Sequence, residues 1–207
     1  MITSSYIVKY PIVAKAFNFV NLNGKGNYNP YHNFNHVSTV FFFVSRFLQF
    51  IESDKERELL IAAIFHDYNH SAGKYKNDTA NIYMACDGVK RFQAENALGS
   101  YTKDIDFTFI IDLIFATRFP YDIPDDKLTK EGHLLRDADL AYLFSPIAIP
   151  MTLGGLRTEL DLDLKSFLDS QPDFINSLKF RIPEVQKLWS NVKQDRLNEI
   201  KALRDVL

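Results

Sequence analysis

Residues 53–70 read SDKERELLIAAIFHDYNH, and this stretch decides the fold. Ser53 with Glu56 has the form of a capping box, so a helix is expected to open here. From Leu59 to Phe65 the residues are apolar on nearly every side of a helix. A helix that is apolar all round belongs inside a packed globule, not on its surface. Its end carries His66, Asp67 and His70. Burying a carboxylate and two imidazoles there is costly unless they are paired or bind a cation. His66 and His70 stand one turn apart and share a face.

Upstream, residues 29–51 read NPYHNFNHVSTVFFFVSRFLQFI, with His32 and His36 one turn apart at the mouth of an apolar helix. Val37, Val40, Phe41, Val44, Phe47, Leu48 and Ile51 follow the rhythm of one helical face. Downstream, Asp78 or Thr79 suits the cap of a third helix bearing Ile82, Ala85, Val89 and Phe92. Thr102 suits the cap of a fourth, with Phe107, Ile110, Ile111 and Ile114 inward. PYDIPDD (120–126) reads as a loop, and a fifth helix runs through HLLRDADLAYLF until Pro146 limits it. LGGL (153–156) reads as a break. A helix to about Ser170 follows, and Pro172 suits the first turn of the next. Pro183 opens the last helix, with Val185, Leu188, Trp189, Val192, Ile200 and Leu203 on one face. NLNGKGNYNP (21–30) reads as a connecting loop in preference to a phosphate cradle, because lone glycine patterns are unspecific. There is no internal repeat and no βαβ rhythm. The expected fold class is all-α, a compact multi-helix globule in one domain over residues 1–207.

Composition sets outer limits. The chain has 207 residues, 46% of them hydrophobic and 24% charged, as an ordinary globular domain has. Eighteen Phe and ten Tyr point to an aromatic-rich core or pocket. A formal charge of −2 gives no broad basic surface for duplex nucleic acid. A single cysteine, Cys86, excludes an internal disulfide and a cysteine-rich zinc module. The first residues lack the charged-then-apolar order of a signal peptide. The richest apolar run, 37–51, is too short and too interrupted to span a bilayer. These features fit a cytoplasmic protein with no membrane partner.

Of five histidines, His32, His36, His66 and His70 fall in two short motifs, and the fifth, His133, precedes RDAD, which holds Asp137 and Asp139. A lone histidine on an apolar face is commonly a hydrogen-bonded core residue, an Asp at a helix end is commonly a cap, and His133 reads as facing water. Taken together, imidazoles and carboxylates on two buried helices and a third acidic one form a set. Mixed nitrogen and oxygen ligands suit Zn, Mn, Fe or Mg.

The order His36, His66-Asp67, Asp137 resembles the H…HD…D signature of the HD-domain metal phosphohydrolases, an all-helical superfamily. Within it, YHNFNH (31–36) is similar to the YHNxxH of the class I 3′,5′-cyclic nucleotide phosphodiesterases, and HDYNH (66–70) to their HDxxH. SQPDFIN (170–176) resembles their SQxxFI. The resemblance spans Tyr31 to Asn176 in the family's order. The chain is shorter than a typical catalytic domain of that family, the interval from Asp137 to Gln171 is compressed, and ATRFPY (116–121) stands where TDMxxH is found.

The resemblance implies two divalent ions (Mn, Mg, Zn or Fe), with His36, His66, Asp67 and Asp137 holding the tighter one, Asp139 in reserve and Asp67 as bridge. It implies a catalytic pair, His32 as general acid to the leaving 3′-oxygen and His70 orienting the attacking water. Tyr31, Gln171 and Phe174 would bind substrate, Gln171 at the base edge and Phe174 on the ring. The expected activity is hydrolysis of the 3′-phosphoester bond of a cyclic nucleotide by a hydroxide held between the metals. The alternatives are a phosphohydrolase of nucleoside mono- or triphosphates or alarmones, and a non-catalytic nucleotide sensor. The partner is a small nucleotide, cyclic mono-, di- and oligonucleotides being left open.

Overall fold

The computed structural model describes residues 2–75, 77–99 and 102–207. The chain is all-α, with no strand among the described residues. In order it forms α1 (Ile2–Lys9), α2 (Pro11–Asn23), α3 (Phe34–Phe47), α4 (Glu56–Phe65), α5 (Thr79–Asn96), α6 (Phe107–Ala116) and α7 (Lys130–Leu140). The short α8 (Ala148–Met151) and α9 (Arg157–Glu159) follow, then α10 (Leu164–Ser177) and α11 (Pro183–Arg204). No single helix among the described residues is long and apolar enough to cross a membrane.

The stretch that opens the reading is the axis of the molecule. Leu59 through Phe65 are wholly buried, and α2, α3 and α6 pack around α4, with α5 and α7 closing the remaining sides. Burying each Leu, Ile or Phe of this helix stabilises the fold by about 1.5–3 kcal/mol, so α4 anchors whatever sits at its end. Phe19, Phe65, Tyr68 and Phe92 cluster on one side of it, with ring centroids 5.4 to 5.9 Å apart. Phe144, Phe180 and Trp189 stack where α11 meets the turn after α7.

Three local expectations change. The capping box at Ser53 does not form: α4 begins behind Lys55, which makes no side-chain cap. Ser53 Oγ instead donates to Glu131 Oε1 at 2.6 Å, a stronger charged acceptor offered by α7. Thr102 does not cap the fourth helix. Its hydroxyl donates to Asn96 O and Gly99 O, while Asp106 caps α6 by accepting from Phe109 N at 3.0 Å. Pro172 lies inside α10 and does not open a new helix. An interior proline costs about 3 kcal/mol, offset here by an inward face of Phe167, Leu168, Gln171 and Ile175. Pro183 does open α11, where a missing N–H leaves nothing unpaired. LGGL is a π-helical turn, Thr152–Leu156, linking α8 to α9.

Candidate metal centre and its cavity

Local structure brings each histidine to one point. Asn33 caps α3, its side chain accepting from Asn35 N at 2.9 Å and His36 N at 3.3 Å, which places His36 in the first turn. α4 runs out at Phe65, His66 continues its curl, and Asn69 in a left-handed conformation (φ 61°) turns the chain away. Asn29 Nδ2 donates to His70 O at 2.7 Å and to His32 O at 3.1 Å, tying the two histidine segments together. Lys25 N donates to Asn69 Oδ1. The 21–30 loop thus acts as a strut under the histidines.

His36 Nε2 lies 3.1 Å from Asp67 Oδ2, 3.2 Å from Asp139 Oδ1 and 3.3 Å from His66 Nε2. His66 Nε2 lies 3.2 Å from Asp67 Oδ2 and 3.5 Å from Asp139 Oδ1. Donors bound to one small cation at about 2.0–2.1 Å stand roughly 3–3.5 Å apart, so these separations fit a metal ion. His66 Nδ1 donates to Ala63 O at 2.8 Å, which leaves the Nε2 lone pair bare and aimed at the cluster, as a ligand requires. Without a cation, protons take its place. Burial alone would lower His36, yet Asp139 and Asp67 raise it to about 9. The same contest carries His66 well above its usual range. Burial would raise Asp67 and Asp139, but the facing imidazoles hold both below the normal carboxylate range.

Asp139, not Asp137, completes the group. Two residues apart on a helix is about 200° of rotation, so only one of the pair can face the cavity. Asp137 turns into the core, wholly buried, and accepts from Arg181 N at 2.8 Å and Ile182 N at 2.7 Å. Burial pushes its pKa up to about 7 against those contacts. It anchors the start of α11. His133 sits apart, donating to Asp125 O.

Next to this group, His32 Nδ1 meets Glu159 Oε2 at 2.5 Å. Glu159 Oε1 accepts from Tyr31 N at 2.7 Å and His32 N at 2.9 Å. Burial would raise this carboxyl, but the His32 pair and the backbone donors hold it low and ionised. The His70 ring lies against His32 with centroids 3.7 Å apart. Burial lowers the His70 pKa, and Asn81 Nδ2 approaches its Nε2 at 2.9 Å. Ala72 N lies 3.2 Å from its Nδ1, so both ring nitrogens of His70 have protein partners.

His32, His36, Asp67, His70, Asn81, Asp139 and Glu159 line one cavity of about 540 Å³, which Tyr31, Gln171 and Phe174 also line. Gln171 Nε2 donates to Ser170 Oγ at 3.3 Å. Tyr31 is packed by His36 and Tyr142 rings. Every site residue read from the sequence but Asp137 is thus at or beside this cavity. Glu159, Asn81 and Asp139's precedence were not read. Glu159 stands 127 residues from its partner in a segment without motif or period, so no sequence signal marks it. The helical offset between Asp137 and Asp139 was the available signal for the last.

Two further devices shape the wall. Gly73 adopts φ 79°, and a Cβ there would lie 2.1 Å from Glu159 O, so only glycine lets this loop close on Glu159. Beyond α6, Phe119 and Pro120, joined by a cis peptide bond, and Tyr121 also line the cavity. Compared with protein-family models, curated proteins and solved structures, the chain has no match.

Proposed function

We propose that the protein is a metal-dependent phosphodiesterase that opens the 3′-phosphoester bond of a cyclic nucleotide. One observation carries the reading: a four-donor imidazole–carboxylate cluster faces the same cavity as His32, whose Nδ1 is paired with the Glu159 carboxylate. His36, His66, Asp67 and Asp139 would hold a divalent ion, with a second sharing Asp67. Such ions supply an activated water and charge compensation at phosphorus. Glu159 fixes His32 through Nδ1 and its own backbone N–H, which leaves Nε2 to give a proton to the leaving 3′-oxygen. The His70 ring limits the tilt of His32 by stacking on it. Gln171 and Phe174 offer an amide and a ring to the base.

Charge favours a cyclic nucleotide over a polyphosphate. Among the described residues lining the cavity there is no Lys or Arg. Triphosphates and alarmones carry several negative charges, which proteins ordinarily meet with such side chains. A phosphodiester brings one. The test is a panel of cyclic mono-, di- and oligonucleotides, nucleoside triphosphates and alarmones, each with Mn²⁺, Mg²⁺, Zn²⁺ or Fe²⁺. The expected result is turnover of a cyclic nucleotide to its 5′-phosphate product. Preferential attack on triphosphates or alarmones, or tight nucleotide binding without turnover of any member, would overturn it.

A further inference from the structure

We propose that the Tyr121 hydroxyl donates a hydrogen bond to a phosphoryl oxygen of the substrate, with Arg136 and Arg181 holding its ring as positioning residues. The inference rests on the phosphodiester reading above. It concerns a segment, ATRFPY, that the motif resemblance leaves without a role.

Tyr121 lines the cavity beside Asp139, and the two are close enough to interact through space. It therefore belongs to the metal end of the cavity. The Arg136 guanidinium lies 4.2 Å and that of Arg181 4.8 Å from its ring centroid. Both cations are themselves fixed. Arg136, fully buried, donates through Nε to Ala116 O at 2.5 Å, through Nη2 to Ile123 O at 3.0 Å and through Nη1 to Asp125 Oδ1 at 3.0 Å. Arg181 donates through Nε to the same Asp125 oxygen at 3.0 Å and through Nη1 to Lys179 O at 2.8 Å. The Asp137 grip on Arg181 N locks that residue's backbone as well.

Such an arrangement is costly for a wall that merely excludes water. A buried guanidinium must satisfy its donors at every position, and a leucine would pack as well. Two cations over one phenol hold its ring in place by cation–π attraction. That hydroxyl makes no hydrogen bond within the described residues, although the ring beneath it is clamped. It is a prepositioned donor without an acceptor. The described cavity wall has no Lys or Arg to meet a phosphoryl oxygen directly. A neutral donor backed by positive charge fills that role for a singly charged diester, and its rigidity makes it effective as charge builds on the phosphoryl group.

The test uses Tyr121→Phe, which keeps the ring and both arginine contacts. Turnover of the best cyclic nucleotide, affinity of the Mn²⁺-loaded protein for inorganic phosphate by calorimetry, Mn²⁺ stoichiometry and thermal midpoint are measured. The expected result is a fall of about 10–10²-fold in kcat and a clear loss of phosphate affinity, the scale of a lost hydrogen bond to a charged group. Mn²⁺ stoichiometry and thermal midpoint should stay as in the wild type, because the hydroxyl has no partner in the free protein. If kcat and phosphate affinity both stay within twofold of wild type, the proposal is wrong. It is equally wrong if Tyr121→Phe is silent while Tyr121→Leu weakens nucleotide binding, since Tyr121 is then an aromatic wall only. A wild-type protein that binds no phosphate also overturns it. Phosphate binding that depends on Tyr121 in a protein hydrolysing no phosphodiester would sink the proposed reaction and leave the Tyr121 assignment standing.

Discussion

At the scale of single residues, the sharpest distinction is between two aspartates of one helix. Asp139 faces two imidazoles and Asp137 faces two backbone N–H groups. Asp139→Ala should abolish measurable turnover and weaken Mn²⁺ binding by calorimetry far more than it lowers stability. Asp137→Ala should do the reverse. It strands the Arg181 and Ile182 amides in the core, a loss of about 1–3 kcal/mol in urea unfolding, and it keeps the cation. Equal loss of metal in both variants would refute the assignment. The His32–Glu159 pair separates in the same way. His32→Ala should retain metal and lose about 10²–10⁴-fold in turnover. Glu159→Gln should lose roughly 10–10²-fold, as removal of a partner that orients a working histidine does. A Glu159→Gln variant as active as wild type would show that Glu159 serves only to pin the Tyr31–His32 backbone.

At the scale of elements, what was legible in the sequence tracks how local its cause is. α3, α4 and α11 follow from periodicity and from Pro183, because the forces that make them act within a few residues. The caps at Ser53 and Thr102 did not, because a hydroxyl chooses among every acceptor the fold brings near, and Glu131 is 78 residues from Ser53. The same limit hid the continuity of α10 through Pro172, which depends on packing against α11. It also hid Glu159, whose placement depends on the π-helical turn before it. That turn presses on the histidine segment: a Cβ on Gly155 would lie 2.8 Å from Pro30 O and 3.1 Å from the Tyr31 Cβ. Gly155→Ala must therefore displace the Tyr31–His32 backbone from Glu159. The expected outcome is a modest stability loss of about 1–3 kcal/mol with a disproportionate fall in kcat and unchanged Mn²⁺ stoichiometry. A fall in activity fully explained by the unfolded fraction would mean the turn does not set the His32–Glu159 geometry.

At the scale of the whole molecule, the centre is a clasp across the core. His36 comes from α3, His66 and Asp67 from the end of α4, and Asp139 from α7, three pieces packed against one another. The motifs made the convergence legible. The strength of the coupling lies in the burial, which no motif expresses. A ligand that binds only the folded chain stabilises it by about 2.7 kcal/mol at a hundredfold excess over Kd, roughly 5–10 °C for a chain of this size. The increment should depend on pH with a definite sign. His36 is raised from 6.5 to about 9 in the metal-free fold. Its contacts with Asp67 and Asp139 therefore stabilise the metal-free protein fully below about pH 6.5, and that contribution disappears as pH rises through about 9. A cation competes with those protons, so binding releases them and tightens as pH rises over the same interval. Thermal unfolding with and without Mn²⁺ should give a larger metal-induced shift near pH 8.5 than near pH 6.5. Calorimetry in buffers of different ionisation enthalpy should show proton release on binding. A shift that is absent, or that grows toward acid pH, would mean that the cluster is an ion-paired core and no metal centre.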